Sequence, residues 1–82
     1  MLDRHESFGY RVLQLNLIIE GLFMGCAYTN RALSDDMLHF INRFKKCLIS
    51  VLDKNDIDSR KFLELCIDNM ESIASQDLRF LV

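Results

Sequence analysis

The apolar residues of this chain recur at helical spacing along almost its whole length. The longest apolar stretch runs from Val12 to Tyr28, and strongly polar side chains interrupt it only at Gln14, Asn16 and Glu20. One stripe steps by three and four, as one face of a helix does: Phe8, Val12, Leu15, Ile19, Leu22 and Cys26. A second stripe runs beside it: Leu13, Leu17 and Met24. Because a surface helix needs only one apolar face, we expect this helix to be the central core element and also to contact a partner.

The spacing predicts an all-α fold of three helices, a helical hairpin followed by a third helix, over residues 8–28, 35–52 and 57–75. Ser7 is predicted to cap the first helix and Ser34 the second. Asn55 is predicted to end the second helix in a left-handed conformation, and either Asp56 or Asp58 to cap the third.

The second helix is predicted to be amphipathic. Its apolar positions form a wide core stripe: Met37, Leu38, Phe40, Ile41, Phe44, Cys47, Leu48, Val51 and Leu52. Its polar face carries His39, Asn42, Arg43, Lys46 and Ser50. In the third helix, the residues predicted to face inward, flanked by Phe62 and Leu65, are Leu63, Cys66, Ile67, Met70, Ile73 and Ala74.

Length and composition favour one small soluble domain over residues 1–82. Half of the 82 residues are apolar, and the chain contains no proline, which suits uninterrupted helices. The three cysteines lie inside apolar stretches and are odd in number, which favours a reducing, cytoplasmic setting over a disulfide scaffold. No secretory signal is recognisable, and Glu20 interrupts the only run long enough to suggest a membrane span.

A chain of this size has a marginal core, and self-association is a common remedy. We therefore expect a homodimer formed through the first helix. Two interfaces are open on the sequence alone: the face of Leu15, Ile19 and Leu22, or the strip of Gly21 and Gly25, where two glycines four residues apart allow close approach of another backbone.

Residues for catalysis or for metal and cofactor binding are not grouped in the sequence. His5 and His39 are isolated, and each cysteine falls on a predicted core stripe, where a thiol is unreactive. The acidic turn from Asp53 to Asp58 lacks the glycine and the final glutamate of a calcium-binding loop. We expect a protein without enzymatic activity, metal or cofactor.

Two surfaces are candidates for binding a protein partner. The first is the polar face of helix two, with His39, Asn42, Arg43 and Lys46. The second is the apolar C-terminal tail, whose apolar residues are Leu78, Phe80, Leu81 and Val82. The tail would extend helix three, dock on a partner or fold back over the core. Nucleic acid is the rival ligand, favoured if Arg43, Lys46 and Arg60 converge, although the net charge of −2 provides no general attraction.

The run from Leu15 to about Met70 resembles the YmgB/AriR family of small biofilm and acid-resistance regulators of enteric bacteria. The matching features are the apolar first helix, the junction Arg31-Ala32-Leu33-Ser34, and a second helix opening with Met37, Leu38 and Ile41. The resemblance implies a small helical homodimer that acts as a connector in two-component signalling without catalysis. The chain departs from the family pattern at Asp35 and Asp36, where basic or amide residues are usual, and in its apolar tail.

Together these features predict a homodimeric regulatory protein of signalling, biofilm or stress response that binds a protein partner. The alternatives are a DNA-binding transcriptional regulator, a phage- or plasmid-encoded inhibitor, and a small secretion chaperone.

Overall fold

The computed structural model describes the backbone of residues 4–81 and the side chains of residues 7–81. Four α-helices follow one another: α1 (Arg4–Tyr28), α2 (Asp35–Lys54), α3 (Ile57–Asp68) and α4 (Met70–Ala74). A short 3₁₀ helix, Arg79–Leu81, ends the described part of the chain. No β-strand occurs within residues 4–81, and the predicted all-α class is confirmed.

The ends of α2 and the start of α3 follow the local sequence. The hydroxyl of Ser34 accepts a hydrogen bond from the Met37 N–H at 3.2 Å, and Asn55 takes the left-handed conformation with φ 51°. The carboxylate of Asp56 caps α3 by accepting the Ser59 N–H at 3.0 Å. Of the two predicted caps, the chain therefore uses Asp56. The predicted cap at Ser7 is wrong, because α1 already begins at Arg4.

The predicted third helix is broken into two. α3 ends at Asp68, and the side-chain amide of Asn69 donates a hydrogen bond to the Leu65 carbonyl at 2.8 Å. Asparagine side chains compete in this way for helical backbone groups, which accounts for the break between α3 and α4. After α4 the chain turns at Gln76, whose φ is 61°.

The core lies around α3, which packs against both α1 and α2, while α4 packs against α1. The expectation that the first helix is central is therefore corrected: α1 forms one side of the bundle. Twelve apolar side chains are buried: Val12, Leu15, Ile19, Leu33, Met37, Phe40, Ile41, Phe44, Phe62, Leu63, Cys66 and Ile73. Four residues that spacing places on or beside the core faces are exposed: Leu38, Leu52, Leu65 and Ala74.

The C-terminal tail folds back over the chain's own core. Leu78, Phe80 and Leu81 are half-buried against it, and the ring of Phe80 meets that of Phe40 edge-on, with centroids 6.3 Å apart. The sequence left three arrangements of the tail open, and one of them, the continuation of helix three, is therefore excluded. Val82 lies outside the described residues.

Candidate interaction surfaces

Helix α1 is apolar on two opposite sides. The side carrying Val12, Leu15 and Ile19 is buried in the core. The other side carries what we call the outer strip: Tyr10, Leu13, Leu17, Gly21, Met24, Gly25 and Tyr28. Its five large side chains are 54% to 93% exposed, far more than an apolar helix face packed on a neighbour. The described chain thus uses one apolar side of α1 and leaves the other in solvent.

The predicted interface of Leu15, Ile19 and Leu22 is corrected by this arrangement. Leu15 and Ile19 have no exposed surface, and Leu22 is half-buried against the core. Leu15 and Ile19 cannot reach a second chain while the fold persists, because they lie inside the core, whereas Leu22 keeps part of its surface exposed.

Gly21 and Gly25, the alternative interface, lie on the exposed side of α1. A Cβ atom built at either position meets no atom within 4 Å, so neither glycine is required by packing inside the chain. An exposed helical glycine costs about 1 kcal/mol relative to alanine. No contact within one copy offsets that cost. Close approach of a second helix at these glycines would offset it.

A stripe of α2 borders α1 and adds apolar surface. Leu38, Lys45, Ile49 and Leu52 recur at intervals of seven, four and three residues and so share one face of α2. The Lys45 ammonium lies 5.5 Å from the centroid of the Phe23 ring of α1, which places this face beside α1. Ile49 and Leu52 are 65% and 79% exposed, and sequence spacing alone had assigned Leu52 to the core.

The polar face of α2 and the C-terminal tail, predicted as separate surfaces, meet at one groove. It has a volume of about 530 Å³ and is lined by Ser34, Asp36, His39, Phe40, Arg43, Gln76, Leu78, Arg79 and Leu81. His39 and Arg43 of the predicted partner-binding set lie in it, whereas Asn42 and Lys46 are exposed outside it. Sequence spacing missed the contribution of Gln76 and Arg79, because the reversal of the chain at Gln76 carries no proline or glycine signal.

The charges at the groove are unequally paired. The Arg79 guanidinium holds the Asp77 carboxylate at 2.8 to 3.2 Å, and these hydrogen bonds lower the pKa of Asp77 to about 2. The Arg43 guanidinium instead lies over the Phe62 ring, 4.0 Å from its centroid. Arg43 makes no ion pair with any side chain among residues 7–81.

The basic residues proposed for nucleic acid do not converge. Arg60 lies over the Phe8 ring at 4.0 Å and pairs with Glu64 at 3.3 Å, whereas Arg43 lies over Phe62. Arg60 and Phe62 are two residues apart on α3, about 200° around the helix, so the two guanidinium groups lie against opposite sides of α3. The condition that would favour a DNA-binding surface is not met.

The three thiols differ in accessibility. Cys66 is buried, and burial raises its pKa to about 12, whereas Cys26 and Cys47 are half-buried. Among the side chains of residues 7–81, no group of three His, Cys, Asp or Glu residues is arranged to hold a metal ion. The side chain of His5 lies outside the described residues.

Over residues 4–81, none of the helices combines the length and the apolar character needed to cross a lipid bilayer. Comparison with protein-family models, with curated proteins and with solved structures gives no match to this chain.

Proposed function

We propose that the protein is a non-enzymatic, homodimeric interaction protein, in which two copies pair through the outer strip of α1 and each copy binds a partner protein. The observation that carries the proposal is the exposed apolar side of α1, from Tyr10 to Tyr28. Contiguous apolar patches above a few hundred Å² are rare on monomers and usually mark an interface.

The size of the strip fits a second copy of the chain. Taking about 200 Å² for a large side chain, the exposed fractions of its five large residues correspond to roughly 670 Å² of surface per copy. A standard interface buries about 800 Å² per partner. The adjoining Ile49 and Leu52 of α2 supply further apolar area at the edge of the strip.

The charge of the strip also suits self-association. A two-fold interface brings the same patch of each copy together, so a charged patch would repel itself. The outer strip itself contains no ionisable side chain other than its two tyrosines, and the two charged residues beside it, Glu20 of α1 and Arg31 next to Gly21 and Gly25, are of opposite sign. We therefore propose a second copy as its occupant.

In this proposal the partner protein binds away from the dimer contact, at the groove between α2 and the tail. The resemblance described above suggests a connector in bacterial signalling, stress response or biofilm regulation, acting in the cytoplasm. The cysteines support a reducing setting, since all three thiols are unpaired in the fold.

Sedimentation velocity tests the dimer. The wild-type chain is expected to sediment as a dimer at tens of micromolar, and Leu17→Lys, which buries two like charges at the two-fold contact, is expected to give monomer. The matched control is Ile57→Lys, since Ile57 is similarly exposed (68% against 62%) but lies outside α1.

Circular dichroism would verify that both variants keep their helices. A wild-type monomer at this concentration would contradict the proposal, as would a Leu17→Lys variant that still dimerises like the control.

A further inference from the structure

We propose that the groove between α2 and the C-terminal tail binds a short apolar segment of a partner protein that carries a carboxylate, and that Arg43 receives this carboxylate. The inference rests on the proposed function, and it specifies the chemistry of the partner.

The floor and one wall of the groove provide the apolar part of the site. Phe40 is buried beneath it, and Leu78 and Leu81 of the tail are half-buried along its side. Phe40 is held in place by neighbouring rings, with Phe62 at 6.1 Å and Phe80 at 6.3 Å between centroids. The apolar surface is therefore already formed in the folded chain, which lowers the cost of binding.

The opposite wall provides the charge. His39 and Arg43 are one turn apart on α2 and both line the groove, and Asp36, one turn before His39, places a carboxylate towards the other end of the same wall. Stacking on Phe62 positions the Arg43 guanidinium, and no carboxylate among residues 7–81 neutralises it. The Arg79 guanidinium is engaged by Asp77. The N–H donors of the Arg43 guanidinium are therefore available to a ligand at the groove. A carboxylate can accept two of these hydrogen bonds at once.

The shape of the groove favours a peptide over a small molecule. Six of its nine lining residues are exposed, so it is an open groove rather than an enclosed cavity. Small-molecule sites usually bury most of the ligand. Along α2 the lining runs from Ser34 to Arg43, about 14 Å at the helical rise, which suits two turns of a helix or a short extended strand.

The test is a selection from a phage-displayed library of random twelve-residue peptides on the immobilised wild-type protein. We expect the enriched peptides to contain aspartate or glutamate beside apolar residues. Their affinity is then measured by fluorescence polarisation for wild type, Arg43→Met, Arg43→Lys and Lys61→Met. Methionine keeps an apolar cover on Phe62 while removing the charge, and Lys61 is an exposed cation of α3 outside the groove.

Loss of one charge-assisted hydrogen-bonded pair predicts about tenfold weaker binding for Arg43→Met, with partial recovery in Arg43→Lys and no change in Lys61→Met. Amide chemical shifts should change at His39, Phe40 and Leu78 when the peptide is added. Each of three results would overturn the proposal: no enriched peptide, enriched peptides without acidic residues, or equal affinity for Arg43→Met and wild type. Dodecanoate added alone serves as a further probe, and shifts in the groove with dodecanoate but with no peptide would identify a small anionic ligand instead.

Sedimentation of the same samples separates this proposal from the proposed dimer. Arg43→Met should remain dimeric, so that loss of peptide binding with an intact dimer supports the groove alone, and a monomeric wild type that binds acidic peptides contradicts only the dimer.

Discussion

The three glycines of α1 allow the proposed dimer contact to be separated from the stability of a single chain. Gly9, Gly21 and Gly25 all lie inside the helix, all are exposed, and a Cβ at each meets no atom within 4 Å. None has a positive φ. In an isolated chain, changing any of them to alanine should therefore raise the free energy of unfolding by about 1 kcal/mol, through helix propensity alone.

In the dimer the three positions should no longer behave alike. Gly21 and Gly25 belong to the outer strip, whereas Gly9 lies outside it and serves as the matched control. If two backbones approach closely at the strip, an added methyl group forces them apart at a cost of roughly 1–3 kcal/mol. The dissociation constant of the dimer would then rise by roughly 5- to 150-fold for Gly21→Ala or Gly25→Ala.

The assay combines sedimentation equilibrium with urea unfolding at low and high protein concentration. We expect Gly9→Ala to stabilise the protein at every concentration without changing dimer affinity. For Gly21→Ala and Gly25→Ala the increase in the free energy of unfolding should be present in the dilute monomer. It should shrink at high concentration, where dimerisation stabilises the wild type more than the variants. Close backbone packing at the strip is refuted if all three variants show the same increase in the free energy of unfolding at every concentration and share the same dimer dissociation constant.

Three further predictions concern the fold. Phe44 is fully buried, so Phe44→Ala should lower the free energy of unfolding by about 3–5 kcal/mol or abolish folding, as urea denaturation would show; an effect below about 1 kcal/mol would contradict its place in the core. Burial, with a pKa near 12, should make Cys66 react with iodoacetamide far more slowly than half-buried Cys47, and mass spectrometry showing equal labelling would refute this. Asp77, with its pKa at about 2 against an ordinary 3.8, should stabilise the folded tail above about pH 4 and progressively less as the pH falls towards 2. In Arg79→Gln the pKa of Asp77, read from the ¹³C titration of its carboxyl group, should rise towards the ordinary value. An unchanged titration midpoint would exclude the ion pair as the cause of the lowered pKa.

The parts of the fold that could be predicted from sequence are those with local causes. Ser34, Asn55 and Asp56 act on backbone groups within five residues of themselves, so that their roles can be inferred from the residue type and its position at the end of an apolar repeat. The amphipathic α2 is equally local in its cause. Its buried residues Phe40 and Phe44 were both assigned to the core by spacing.

The features that could not be predicted from sequence depend on competition between backbone conformations of nearly equal free energy. The side chain of Asn69 donates a hydrogen bond to the carbonyl of Leu65, and the helix ends there. A single asparagine inside an apolar repeat does not by itself predict that the helix breaks. Gln76 adopts a left-handed conformation without being glycine, so the reversal that brings the tail to Phe40 has no composition signal. The groove, which needs both the reversal and α2, could therefore be predicted only as two separate surfaces.

The choice between the two apolar sides of α1 illustrates the same limit. Leu15 and Leu17 are the same residue type on stripes of the same period, and only the long-range packing of α3 and α4 decides which is buried. The apolar pattern predicts a helix with more apolar surface than one core can cover. It leaves open which of the two apolar sides packs in the core and which remains in solvent.

The positions of Arg43 and Lys45 determine how the two proposed surfaces combine. These residues are two apart on α2, so they project about 200° apart around the helix. Lys45 reaches Phe23 of α1, whereas Arg43 lines the groove, and the groove therefore faces away from the side of α2 that borders α1. A dimer formed through α1 would leave both grooves open, related by the two-fold axis. Two linked acidic segments on one partner could then bind with a higher overall affinity than either segment alone, provided that their linker spans the two grooves.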